Sequence, residues 1–172
     1  MVKKHQIAPY LNTKIGTDGL VNKSSPTWTR ICKTESFDLA MNPETEERDF
    51  ICDKLPTTEL KAYNPSFNTP LVMYEDDADY QFIFNKFYNL ANGDKAKSEL
   101  LLVFYQKPVD TTAATHSKFA AWRCDCTISI SDLNSVDSTL TFDTNVNGKI
   151  KKGYVAVSGQ SISFTEGTYE TT

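Results

Sequence analysis

The sequence predicts a mainly β domain, a sandwich or barrel flanked by one helix. Three observations carry that prediction. Apolar and polar residues alternate with period two over most of the chain, as half-buried strands require. Turn signals separate these runs at spacings that suit a sandwich or barrel. One segment alone, ahead of Gly93, shows helical spacing instead.

Taken in order, residues 1–26 are polar and lysine-bearing, and an extended N-terminal arm is expected there, solvated or fixed by a partner. The domain is expected over 27–165 and a short C-terminal tail over 166–172. The run 28–40 reads as a strand that changes parity. Trp28 and Cys32 lie on even positions and Phe37 and Leu39 on odd ones, so a bulge or bend is expected near 33–36. Met41, Asn42, Pro43, Glu44, Thr45, Glu46 and Glu47 read as a loop inside a long hairpin, followed by strands over 48–55 and 59–63.

A helix is expected over about 76–92. Tyr80, Ile83, Phe84, Phe87, Tyr88 and Ala91 recur at i, i+3, i+4; the acids of Glu75-Asp76-Asp77-Ala78-Asp79 lead, and Gly93 supplies the stop. The aromatic stripe is predicted to face the core. A strand over 100–106 precedes a polar loop, 108–117. In 120–130, Trp122, Cys124, Cys126, Ile128 and Ile130 share one face and Arg123, Asp125, Thr127 and Ser129 the other. The run 139–143 leads to Asn147-Gly148, which favours the positive φ of a hairpin turn, with a return strand over 150–157 and a last strand over 161–165.

Composition narrows the function. A chain of 172 residues that is 40% hydrophobic buries a core without disulfides or a metal. Its net charge of −4 argues against a basic nucleic-acid binder, which must neutralise phosphates. The charge is uneven. Up to Thr34, six Lys or Arg face one acid, +5; from Glu35 to Asp79, twelve acids face three bases, −9; the remainder is neutral. Such a pattern is either plain solvation or a pair of complementary surfaces in an assembly.

No secretory apolar segment is visible near the start, and no run of 18 apolar residues suggests a membrane span, so synthesis in the cytosol without membrane association is expected. Cys32, Cys52, Cys124 and Cys126 are therefore read as reduced, buried, small hydrophobes. Cys124 and Cys126 share a strand face, yet zinc needs further ligands, and His5 and His116 sit in terminal or polar contexts. No metal or cofactor is expected. The elbow, phosphate-loop and metalloprotease motifs are all missing, and the acids at 75–79 lack EF-hand spacing, so the chain is not expected to be an enzyme.

The order of segments carries a resemblance. Trp28-Thr29-Arg30-Ile31-Cys32-Lys33-Thr34-Glu35-Ser36-Phe37-Asp38-Leu39, followed by Asn42-Pro43-Glu44-Thr45-Glu46 and Phe50-Ile51-Cys52-Asp53, resembles the opening hairpin of the major tail tube proteins of long-tailed bacteriophages. Leu60-Lys61-Ala62-Tyr63-Asn64-Pro65-Ser66-Phe67, the aromatic helix, and Gly148-Lys149-Ile150-Lys151-Lys152-Gly153-Tyr154-Val155 are similar to the rest of that siphophage family, over about 27–165.

The resemblance implies a tail-tube-type β-sandwich or barrel with one flanking helix, in rings of six that stack into a hollow tube through which DNA leaves the capsid. It implies a virion tail location after assembly in the host cytoplasm. The implied partners are other copies of the chain, the tape-measure, tail terminator and distal tail proteins, and DNA in transit without sequence-specific binding. By position it assigns Met41 to Glu47 to ring stacking, with Lys3, Lys4, Lys14 and Lys23 of the arm as contacts on another copy. An acidic lumen follows from the same family, with Asp38, Asp49 and Asp53 as candidates and the parity of their strand left open. The alternative is a monomeric β-sandwich module for carbohydrate or a host surface, presenting tyrosines such as Tyr10, Tyr63, Tyr105 and Tyr154.

Overall fold

The computed structural model describes residues 6–52, 54–110, 117–159 and 161–167. The elements in chain order are β1 (Ile7–Asn12), β2 (Trp28–Arg30), β3 (Asp38–Ala40), β4 (Pro43–Arg48), β5 (Thr57–Tyr63), β6 (Ser66–Val72), helix α1 (Ala78–Tyr88), a short 3₁₀ helix (Gly93–Ala96), β7 (Lys97–Pro108), β8 (Lys118–Asn134), β9 (Thr139–Ser158) and β10 (Ser161–Glu166). The chain is mainly β, and every strand pairing is antiparallel. One sheet runs β2-β1-β7-β8-β9-β6-β3, with β10 on the second half of β9; β4 and β5 form a separate two-stranded ribbon.

The sheet has a core on each face. Along β7, Leu100 joins one core with Leu11, Ile31, Phe67, Leu71, Cys124, Cys126, Ile128, Leu140 and Phe142, and α1 covers it with Phe82 and Ile83. Leu101 and Val103 point the other way, into a second core with Ala8, Tyr10, Ala121 and Val155. Trp28 of edge strand β2 and Ile162 and Phe164 of edge strand β10 pack against that second core, so this half of the sheet curls until its edges share a centre. Tyr10 and Tyr105 join hydroxyls there at 2.7 Å, and burial raises the Tyr10 pKa.

The other half curls as well. Residues 31–37 link β2 at one end of the sheet path to β3 at the other, and seven residues span at most about 25 Å. The link is fastened midway, where the Val72 N–H donates to the Lys33 carbonyl at 2.8 Å. The parity change expected near 33–36 is therefore a break between two strands on opposite sheet edges.

Part of the expected arm, Ile7–Asn12, is a core strand. Ala8 to Asn12 are buried, and β1 lies between β2 and β7. Burial on both faces removes the period-two signal, which is why Ile7-Ala8-Pro9-Tyr10-Leu11-Asn12 gave no alternation. The following loop is pinned from within. Asn12 Nδ2 donates to Glu99 Oε2 and to the Asn22 carbonyl, both at 2.9 Å, and Asn12 Oδ1 accepts the N–H groups of Lys14 and Thr27. Glu99, 4% exposed, also receives Arg123 Nη2 at 2.7 Å and Nε at 3.0 Å, and Arg123 reaches on to the Lys23 carbonyl. Lys3 and Lys4 lie outside the described residues.

Three further expectations change. Asn147-Gly148 makes no hairpin turn, because β9 continues through it. Pairing jumps from Asp125↔Asn147 to Arg123↔Lys151, so residues 148–150 oppose Cys124 alone, and Gly148, at φ +65°, forms a bulge. The positive φ was legible; its use was not. Helix α1 is shorter than 76–92 and buries Asp79, Phe82, Ile83 and Lys86; of the expected stripe, Ile83 is in the first core and Tyr80, Phe84 and Phe87 are half-buried against it, while Tyr88 is 75% exposed. Lys86 joins the buried face because its Nζ donates to the Lys95 carbonyl at 2.6 Å, a partner outside the helix, and burial lowers its pKa. Of the cysteines, Cys124 and Cys126 are buried but Cys32 and Cys52 are exposed.

Two outcomes are expected. Glu99→Ala leaves Asn12 and Arg123 without their carboxylate and lowers unfolding free energy by about 2–3 kcal/mol in urea titrations, below the usual cost for a fully buried pair because Arg123 is partly solvated. Stability also falls as pH rises above about 9. Burial pushes the Cys124 thiol up to about 12 and raises Cys126 as well. Between the ordinary thiol range and those values the unfolded chain releases protons that the folded chain keeps, so the slope with pH is negative. Urea midpoints at about pH 7.5, below that window, and about pH 10.5, within it, should converge in Cys124→Ala/Cys126→Ala relative to the parent.

Candidate assembly surface

The β4–β5 ribbon continues the β3–β6 hairpin past a kink. Ala40 pairs Ser66 in the sheet, and Pro43 pairs Tyr63 at the start of the ribbon. Between them Asn42 adopts φ +42°, a left-handed conformation that asparagine tolerates, and its Nδ2 donates to the Asn64 carbonyl and to Ser66 Oγ at 3.0 and 2.8 Å. The Val146 N–H donates to the Pro65 carbonyl at 3.0 Å, tying the root to β9. With strands of six and seven residues, the ribbon reaches about 20 Å beyond this root.

The expected loop, Met41 to Glu47, is therefore mostly strand β4, and the expected strand over 48–55 is mostly the connection that caps the ribbon. The error has a physical cause. Strand β5 is exposed at every residue and β4 at all but one, so neither has a core face to impress alternation on the sequence.

The two faces differ in chemistry. Register places Glu46, Arg48 and Glu59 on one face, where Lys61 Nζ meets Glu46 at 2.8 Å, Arg48 meets Glu46 at 3.2 Å, and Arg48 lies 3.8 Å from Glu59. The bonds from Lys61 and then Arg48 hold the Glu46 carboxyl below its ordinary pKa. The other face carries Glu44, Thr45, Glu47, Thr58, Leu60 and Ala62, because the bulge between Glu44 and Thr45 puts both on one side. Neither Glu44 nor Glu47 has an ion-pair partner among the described residues. Phe50, Ile51 and Leu55, all exposed, crown the tip.

The other predicted positions are scattered. Asp38 lies on β3 and Asp49 just past β4, so the ribbon's length separates them; Asp53 lies outside the described residues. Asp38 instead shares a hollow of about 560 Å³ with Ser36, Ser66, Asn68, Asp143 and Asn145, where Asn68 Nδ2 donates to Asp143 at 2.7 Å. Asp143 was missed, although its odd parity in 139–143 set it opposite the core face. Lys14 and Lys23 are used within the chain, on Ser25 at 3.0 Å and Asp125 at 2.7 Å. Among the described residues no cluster of three or more His, Cys, Asp or Glu is placed to hold a metal ion.

No protein-family model and no curated protein matches the chain. Among solved structures, it is similar to a chain of the anti-feeding prophage (AFP) baseplate, determined by cryo-EM and 6-fold symmetrised. That similarity covers 88% of this chain and 95% of the other at 7% identity, with a TM-score of 0.44. The functional reading rests instead on the chain's own residues.

The root is testable by proteolysis. Asn42→Val places a β-branched residue in a left-handed conformation and removes two hydrogen bonds. Tryptic cleavage at Arg48 and Lys54 should quicken several-fold, while the unfolding midpoint of the domain moves little.

Proposed function

We propose that the protein is a non-enzymatic virion subunit that forms rings, in the manner of phage tail tube proteins, and that these rings stack into a tube for DNA. The observation that carries this reading is the ribbon. A lone two-stranded ribbon is marginal in water, and this one buries neither face while exposing Phe50, Ile51, Leu55, Leu60 and Tyr63. Such a surface is suited to burial against another protein. The resemblance of 28–53 to the tail tube opening hairpin points to other copies of the chain as that protein.

A ribbon on one copy and its receiving surface on the next make a heterologous contact, the kind that generates rings when the rotation closes and filaments when it does not. In the proposed tube, Asp38 and Asp143 supply acid to the lumen wall, where repulsion of phosphate keeps DNA from adhering. Asp49 belongs to the ribbon and its contacts.

Negative-stain electron microscopy of the purified chain over a concentration series tests the proposal. Rings or hollow tubes are expected, and Phe50→Ser/Ile51→Ser/Leu55→Ser should abolish stacking while leaving the unfolding midpoint unchanged. A chain that stays monomeric to its solubility limit and binds glycans on an array would establish the binding-module alternative instead.

A further inference from the structure

Resting on the ring reading above, we propose that the free acidic face of the ribbon docks on the lysine-bearing bulge of β9 in another copy. Each half of this contact carries charges that have no ion-pair partner among the described residues. Glu44 and Glu47 flank exposed Leu60 on the ribbon face that bears none of its ion pairs. Beside the bulge at Gly148, Lys149, Lys151 and Lys152 are exposed, while Ile150 is half-buried against the first core. Lys151 has one contact, to Glu166 at 4.0 Å; Lys149 and Lys152 have no ion-pair partner among the described residues.

Ribbon root and bulge lie close together midway along β9, since Ser66 pairs Asn145 and Pro65 bonds Val146, two residues before Gly148. One copy therefore presents both charge signs near one place, and a second copy offers each its complement. The ribbon contact sets the two free carboxylates against the unpaired Lys149 and Lys152, an electrostatic match that favours register and association rate.

This assigns different partners to the two charge segments than the sequence suggested. The acidic hairpin faces Lys149, Lys151 and Lys152 of the next copy, because Lys14 and Lys23 are engaged within their own chain.

The test is a charge swap read by analytical ultracentrifugation and negative stain. Glu44→Lys/Glu47→Lys and Lys149→Glu/Lys152→Glu should each weaken self-association by roughly tenfold or more, and the fourfold variant carrying both should restore it. Raising salt from about 50 mM to about 500 mM should weaken the parent in the same direction. If the reversed ribbon fails to fold, Glu44→Gln/Glu47→Gln serves in its place, with the salt dependence reduced. Unchanged association in either reversed variant, or failure of the fourfold variant to recover, overturns the contact. Loss of DNA binding by the lysine variant with association intact assigns the bulge to nucleic acid and likewise overturns it. Tubes that form regardless of the swap leave the ring reading standing without this contact; swap-rescued oligomers that never close into rings do the reverse. A parent chain that stays monomeric throughout removes both.

Discussion

The structure depends on one strand having a core on both sides. Leu100, Leu101, Leu102 and Val103 are each no more than 2% exposed, so β7 has no solvent face to spare. At about 25 cal/mol per Å² of apolar surface removed from water, such a run is among the largest stabilising contributions available to a domain this size. Covering both faces dictates the rest. One face takes α1 and the 31–37 link; the other takes the curled edges β2 and β10. Long β8 and β9 serve both cores, and the bulge at Gly148 lets β9 change direction between them. Gly153 then permits the close approach of β10, since a side chain there would strike the Thr165 carbonyl and the Phe164 ring.

The ribbon obeys the opposite rule. It has ladder hydrogen bonds and exposed ion pairs, and exposed pairs of this kind, screened by water and salt, contribute little to stability. Its order is borrowed from its root, where Asn42 sets the turn angle and bonds Asn64 and Ser66. A hairpin so attached can present a fixed face without contributing to the cores. That separation suits an assembly element, because changes on the ribbon face alter contacts without unfolding the subunit.

The same contrast explains how much was legible in advance. Strands with one buried face, such as 120–130 and 139–143, announced their parity, and the acids at 75–79 announced the helix start. Strand β1, buried on both faces, and β4, buried on neither, lost the alternation for opposite reasons and were read as arm and loop. Lys86 was overlooked because a lysine whose ammonium reaches carbonyls beyond its helix is invisible to a count of apolar residues. Of the candidate site, the acidity of the hairpin was visible; which carboxylates are free was not, since cross-strand register decides it.

Register also changes what the charge imbalance means. Among the described residues, most acids between Glu35 and Asp79 fall into three populations. One leads the helix, where Asp79 is buried and accepts the Cys32 N–H; one lines the hollow through Asp38; one sits on the ribbon. Within the ribbon, Glu46 and Glu59 are offset by Arg48 and Lys61, leaving Glu44 and Glu47 as the carboxylates with electrostatic demand. The basic start is likewise reduced once Lys23 meets Asp125, and Lys149 and Lys152, which have no ion-pair partner among the described residues, lie on β9 in a stretch that counts as neutral when averaged. Net charge by segment is thus a poor guide to exposed unpaired charge, because the fold, not the chain order, decides which opposite charges cancel.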